Sequence, residues 1–239
     1  MGLAPGHLVV GVIPSYRPSH SLLGLITSLA PQVNSVVVSD DASPCTFDSV
    51  LDHAMGSSRV IRHQHNAGIS RGLNDGFEFA IESQAQWLLS LDQDSEISAD
   101  YVEKILEEAY RRSKVGVRIG AVGAETIADA SGRLKYPVHN TDNGPITTEL
   151  IQTGTLWSVA ALSDIGGFDL DLGIDAVDAA ACLHLRELGY TIAVAPGVTL
   201  KHRIGNARTV SVLGKKVMVT GHSAQRRTTM LRNRLRLFP

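Results

Sequence analysis

Cysteine is scarce in this chain. Cys45 and Cys182 are the only two, far apart and in no Cys-x-x-Cys pattern. That leaves no disulfide framework and predicts reduced, buried thiols in a cytoplasmic protein. An excess of one charge is also missing. Twenty-two basic residues stand against 24 acidic ones, for a formal net charge of −2, so nothing global suggests a nucleic-acid partner. Long apolar runs are absent too. The longest, around Leu22–Ala30, falls well short of the roughly 20 residues a membrane-spanning helix needs. There is no charged-then-apolar leader, no internal repeat and no low-complexity linker. What remains is 44% hydrophobic and 19% charged over 239 residues. That suits one large α/β domain, or two small ones, with a sizeable core.

The pattern of apolar residues supplies the architecture. Leu8–Ile13 is a continuous β-branched run, as in a strand buried on both faces. A helical stripe follows at Leu22, Leu25, Ile26 and Leu29, ended by Pro31. Val36–Val38 reads as a second strand, Phe47–Ala54 as a helix and Val60-Ile61 as a short third strand. Ile69, Leu73, Phe77, Ala80 and Ile81 mark another helix, and Trp87–Leu91 a fourth strand. This β-α-β-α-β-α-β order predicts a parallel, doubly wound sheet with right-handed crossovers. A helix over Val102–Tyr110 and a strand over Ile119–Gly123 come next. Residues 125–150 read as hairpin and loop. A strand at Thr155–Val159, a short helix at Ala160–Ile165 and a helix at Val177–Leu188 follow. Two short strands, Ile192–Val194 and Val198–Leu200, flank Pro196-Gly197, and His222–Arg236 is rich in arginine.

The sharpest chemical signal is Leu91-Asp92-Gln93-Asp94-Ser95, where the fourth strand runs into two carboxylates one residue apart. The carboxyl ends of parallel strands are where α/β sheets place ligand groups. Residues two apart on a strand face the same way, so Asp92 and Asp94 can meet one divalent cation and the phosphates it carries; the plainer alternative is a capping turn. Asp40 and Asp41 close the second strand and point apart, so one of them at most faces a ligand, where it could accept from a base or ribose donor; an Asx-turn before Ser43-Pro44 is the alternative. Asn66, Gly68 and Arg71 stand at a helix N-terminus suited to phosphate. Asp175 and Asp178 open a helix, as a general base or as an N-cap and dipole partner. His202, after a strand, is a candidate third metal ligand or a surface histidine. The arginines Arg226, Arg227, Arg232, Arg234 and Arg236 could bind phosphate or anionic lipid headgroups.

Taken together, these segments are similar to a known family. Val12-Ile13-Pro14-Ser15-Tyr16-Arg17, Val36–Ser43, Asn66-Ala67-Gly68-Ile69, Leu73-Asn74-Asp75-Gly76, Leu91–Ser95, Gly166-Gly167-Phe168-Asp169, Ile174–Asp178, Leu188-Gly189-Tyr190, His202–Gly205 and Arg232-Asn233-Arg234-Leu235 occur in the family's order. The chain resembles glycosyltransferase family 2 of the GT-A fold, in its rhamnosyltransferase-like branch. The resemblance implies one GT-A domain over 1–239 with a Rossmann-like, mostly parallel central sheet. About 8–124 would form the nucleotide-sugar-binding half and about 125–239 a less regular acceptor-side half lacking a C-terminal extension. Pro14 and Tyr16 would lie against the nucleotide, Asp40 would contact the base, and Asp92 would sit near the ribose. Asp94 would ligate Mg2+ or Mn2+, with His202 as a further ligand. Asp178 would be the catalytic base and Asp175 the extra acid of this branch, with the C-terminal arginines near the diphosphate or acceptor.

The activity so implied is inverting transfer of a sugar, with L-rhamnose from dTDP-rhamnose as the best match and UDP-linked donors as the other class. The acceptor would be a saccharide or lipid-linked hydroxyl in cell-surface polysaccharide synthesis. The expected location is the cytoplasm, with the Arg-rich C-terminus contacting the inner face of the plasma membrane. Departures from the family pattern are Ala179-Ala180-Ala181 after Asp178, His184, and Thr228-Thr229. They leave open a second reading, a catalytically impaired family-2 domain that binds nucleotide sugar without transfer. A phosphatase using Asp92 as nucleophile fits poorly, because its motif ends the first strand rather than the fourth. A nucleotidyltransferase would need a Gly-rich, lysine-bearing loop where Pro14–Pro18 stands.

Overall fold

A computed structural model describes residues 8–129, 132–202, 208–212, 215–219 and 224–237. The elements in chain order are β1 (Val9–Ser15), α1 (Ser21–Leu29), β2 (Ser35–Asp40), α2 (Asp48–Ala54), β3 (Arg59–Arg62), α3 (Ile69–Glu82), β4 (Trp87–Ser90) and α4 (Tyr101–Ser113). Then follow β5 (Ile119–Asp129), β6 (Gly132–Lys135), β7 (His139–Thr141), β8 (Gly144–Ile146), β9 (Thr155–Ser158), α5 (Val159–Asp164), α6 (Val177–Glu187), β10 (Thr191–Lys201), β11 (Arg208–Val212), β12 (Lys215–Val219) and α7 (Ala224–Leu237).

The main sheet runs β3-β2-β1-β4-β9-β5-β10-β8-β7, with β6 on β5; β11 and β12 pair separately. The β3-β2-β1-β4 half is parallel throughout, as helical crossovers require. β9 enters antiparallel between β4 and β5, because a hairpin region rather than a crossover helix precedes it. β10 is again parallel to β5. The result is the mostly parallel α/β sheet expected.

Side chains alternate across this sheet and build two cores. Val9 and Ile13 of β1 join Leu22, Leu29, Leu51 and Ile105 on one face, under α1, α2 and α4. Val10 and Val12 point the other way, to Leu73, Phe77, Trp157 and Leu185 beneath α3, α5 and α6. Gly76 lets α3 lie directly on β1, since a Cβ there would come within 2.3 Å of Val12 Cβ.

Three expectations change, and one element is added. β10 is one strand through Pro196-Gly197, with a bulge between Ala195 and Thr199 in place of a turn; Gly197 takes φ +76° and its N–H donates to Glu125 at 2.9 Å. The left-handed bend is absorbed inside the ladder. The arginine-rich C-terminus is a helix, α7, over Ala224–Leu237. α6 starts at Val177, after Asp175 and Ala176 at φ +67° and +65°, so Asp178 lies in its first turn and Asp175 lies outside it. Finally, Cys182 is buried but Cys45 is exposed, because Cys45 sits on the surface turn before α2.

Candidate active site

The carboxyl ends of β1, β2 and β4 open on a cleft of about 550 Å³. Its lining includes Pro14 and Tyr16 at the end of β1, Asp41 after β2, Asn66 and Gly68 before α3, Asp92 and Asp94 after β4, and the 171–174 loop and Arg232 opposite. Gln93 staples two of these edges. Its Oε1 accepts from Ser15 Oγ at 2.7 Å and Tyr16 N at 3.2 Å, and its Nε2 donates to Tyr16 O at 3.0 Å. The loop after β1 is thereby fixed to the segment that carries both carboxylates.

β4 stops at Ser90, so Asp92 and Asp94 converge through a turn rather than by strand alternation. The turn is closed by Ser95 N–H donating to Asp92 O at 3.0 Å. His202 reaches them because Glu96 and Lys201 form a two-way backbone bridge of 2.8 and 3.1 Å. That bridge brings the end of β10 beside the turn. His202 Nε2 lies 3.3 Å from Asp92 Oδ2 and its Nδ1 lies 3.4 Å from Asp94 Oδ1. Ligand atoms of Asp92, Asp94 and His202 fall within 4.8 Å of one another. Two carboxylates and an imidazole at this spacing suit a divalent cation.

Gln152 connects this cluster to Asp178. Its Nε2 donates to Asp92 Oδ1, and its backbone N–H donates to Asp178 Oδ2 at 3.0 Å. Asp178 Oδ1 accepts from Ala179 N at 2.9 Å. Both carboxyls are pushed up to about 6, chiefly by burial. For Asp92 the His202 imidazole works against that rise, while Asp94 and Asp178 add to it. For Asp178 the two amide hydrogen bonds oppose the rise and Glu149 adds to it. A carboxylate poised near 6 is largely ionised at neutral pH and still a competent proton acceptor. Thr153 supports the turn by accepting from Asp92 N at 2.9 Å and meeting Ser95 Oγ at 2.8 Å.

Other expected site residues are placed differently. Asp40 is fully buried and outside the cleft lining, where it accepts from Ser43 N at 3.1 Å and lies 3.5 Å from Arg62; its Oδ1 has no partner among the described residues. Asp41 takes the cleft position but spends its oxygens on Ala67 N at 2.6 Å and Gly68 N at 3.0 Å. The amides read as a phosphate cradle are therefore already held. Arg71 turns from the cleft to Asp75, at 3.0 Å, and Glu78, at 3.6 Å. Asp175 forms a two-pronged pair with Arg226, at 3.1 and 3.0 Å. Gln152, Thr153 and Gln93 escaped the sequence reading, because a neutral side chain between two acids, or just before a strand, carries no spacing signal.

The family model for glycosyl transferase family 2 matches residues 12–162. A dTDP-rhamnosyl transferase of Shigella flexneri, RfbF, is 27% identical over 241 residues, covering 94% of this chain and 78% of its own. Among solved structures, residues 1–349 of S. aureus TarS in complex with UDP superpose with a TM-score of 0.63 at 15% identity, over 83% of this chain and 61% of that one. GalNAc-T7 with UDP, GalNAc and Mn2+ gives 0.69 at 14% identity, over 98% of this chain and 48% of that one. The chain thus spans about half to three-fifths of the length of these two structures.

Proposed function

We propose that this chain, which belongs to glycosyl transferase family 2 and has the GT-A fold, moves a sugar from a nucleoside diphosphate to an acceptor hydroxyl with inversion. The best-supported donor is dTDP-L-rhamnose, in keeping with the name of the Shigella relative. The acceptor is a saccharide or lipid-linked hydroxyl in cell-surface polysaccharide synthesis. The observation that carries this reading is the Asp92–Asp94–His202 cluster at the lip of the cleft, joined through Gln152 to Asp178. Residues 8–124 act as the donor half and the remainder as the acceptor side.

In this reading Asp92, Asp94 and His202 hold Mg2+ or Mn2+, which when bound neutralises the charge that develops on the leaving diphosphate. Pro14, Tyr16, Asn66 and Gly68 line the nucleotide's place. Asp178 accepts the proton of the attacking hydroxyl, while the Gln152 and Ala179 amides hold its carboxylate in place. No enzyme nucleophile is used, so one displacement inverts the anomeric centre. Thermal shift of the protein against nucleotide sugars, with and without Mn2+, tests this reading. Stabilisation by dTDP-rhamnose above other donors, only with the cation, is expected; equal shifts with and without the cation contradict it.

The pH dependence has opposite signs for activity and stability. Transfer is expected to rise through about pH 6 as Asp178 ionises. Between about 4 and 6 the folded state binds more protons than the unfolded chain at Asp92 and Asp178. The contribution of these two groups to cation-free stability therefore falls as pH rises across that window. Initial rates, and melting temperatures of wild type against Asp178→Asn, over pH 4.5–8 check both signs; rates flat across about pH 6 count against Asp178.

The impaired-domain reading rests on Ala179–Ala181. Ala180 and Ala181 are buried in the core at 1% and 3% exposure, so their smallness serves packing, and only Ala179 bears on the acceptor side. Among the described residues no helix is long and apolar enough to cross a membrane. The outer face of α7 carries Arg227, Leu231, Arg234 and Leu235 at helical spacing, with both leucines about 60% exposed. A basic, leucine-bearing face of this kind suits an anionic leaflet. Co-sedimentation with vesicles containing anionic phospholipid, weakened by salt, is expected; protein left in the supernatant at low salt contradicts it.

A further inference from the structure

We propose that Asn233 is a positioning residue that sets the wall of the cleft and the approach to Asp178 together. It lies on α7, far in sequence from both, and is only 1% exposed. Its Nδ2 donates to three backbone carbonyls, Leu172 at 2.9 Å, Ile174 at 2.9 Å and Asp175 at 3.0 Å. Its Oδ1 accepts from Arg232, at 3.2 Å from Nε and 3.1 Å from Nη2. Carbonyls only accept and a guanidinium only donates, so the amide can sit in one orientation alone.

The three carbonyls belong to a segment with two duties. Leu172 and Ile174 line the cleft, as does Arg232 on the other side of the amide. Between them Gly173 O accepts from Ser70 N at 3.2 Å. It also packs so closely on Gly68 that a Cβ at Gly68 would come within 2.4 Å of it. The segment is thus pinned between the start of α3 and α7. Its end, Asp175-Ala176, takes two successive left-handed conformations at φ +67° and +65°. Residues other than glycine hold such conformations only where their surroundings impose them. Ala176 is the N-cap of α6, two residues before Asp178. Through one buried amide, the cleft wall, the cleft-lining Arg232 and the strained lead into the α6 first turn are held in fixed relation. Displacing reacting groups by about 1 Å can cost on the order of 100-fold in rate.

The inference rests on the reading of the cleft as the donor site and of Asp178 as the base. The test uses Asn233→Asp, which keeps the shape and removes the N–H donors, and Asn233→Ala, which removes the side chain. Three quantities are read: kcat, donor KM, and hydrogen exchange of the amides of residues 172–178. Both variants are expected to lose about 10-fold or more in kcat, to raise donor KM about 10-fold, and to speed exchange across 172–178. A merely structural role would lower the melting temperature and leave kcat per folded enzyme unchanged. Folded variants with kcat and KM within about twofold of wild type, or with unchanged exchange over 172–178, overturn the proposal. Should the wild type neither bind a nucleoside diphosphate nor transfer sugar, the reading of the cleft falls, and the exchange measurement still decides on Asn233.

Discussion

Asp178→Asn is expected to slow sugar transfer by about 10²- to 10⁴-fold, the usual contribution of a positioned general base, while nucleoside diphosphate affinity stays close to that of wild type. Affinity is spared because Asp178 lies outside the cleft lining and is linked by hydrogen bonds to Asp92 only through Gln152. Folding should survive as well. The carboxyl is pushed up to about 6 by burial, so its ionised form weakens the fold at neutral pH by roughly 3 kcal/mol, at about 1.4 kcal/mol per pKa unit. An amide removes that cost but can accept only one of the two N–H groups now bound, from Gln152 and Ala179. A buried donor left unpaired costs about 1–3 kcal/mol. The two effects oppose each other, so the melting temperature at pH 7 should barely move. Initial rates beside a nucleotide titration check this. Equal rates in wild type and variant would remove Asp178 from the mechanism.

Asp94→Ala is expected to abolish cation-dependent donor binding, with apparent Mn2+ affinity falling by about 100-fold or more, since even outer-shell partners cost about 10–100-fold. Asp94 is the more exposed of the two acids, at 49% against 28% for Asp92. Its loss should therefore leave the fold intact and strike the ion alone. Asp92 is tied to Gln152, Thr153 and His202, so its removal would disturb packing as well as binding. Calorimetry with UDP and dTDP, with and without Mn2+, separates these cases. Cation-dependent binding that persists in Asp94→Ala contradicts the assignment of the cluster.

Much of the N-terminal half was legible in the sequence. Continuous apolar runs at Val9–Ile13, Val36–Val38 and Trp87–Leu89 are buried on both faces, and the helices between them carry clean 3.6-residue stripes, so strand order and polarity followed. Acids placed just after an apolar strand led to the Asp92–Asp94 pair. Tertiary contacts decided what local pattern could not. Asp41, not Asp40, lines the cleft, because Asp40 is the last residue of β2 and turns inward to Ser43 and Arg62. Arg71 is drawn to Asp75 by i,i+4 spacing along its own helix. Gln152 and Asn233 matter through partners far away in the chain, as do the bulge in β10 and the antiparallel entry of β9. No periodicity within any of these segments encodes that pairing.

We propose that the Asp92–Asp94–His202 cluster binds a cation that holds a nucleoside diphosphate in the adjoining cleft. Its most direct test is calorimetry of the wild-type protein titrated with dTDP and with UDP, first with Mn2+ and then with the cation chelated. Saturable binding of at least one nucleotide, present with Mn2+ and lost on chelation, is the expected result. No saturable binding of either nucleotide in the presence of the cation would contradict the account.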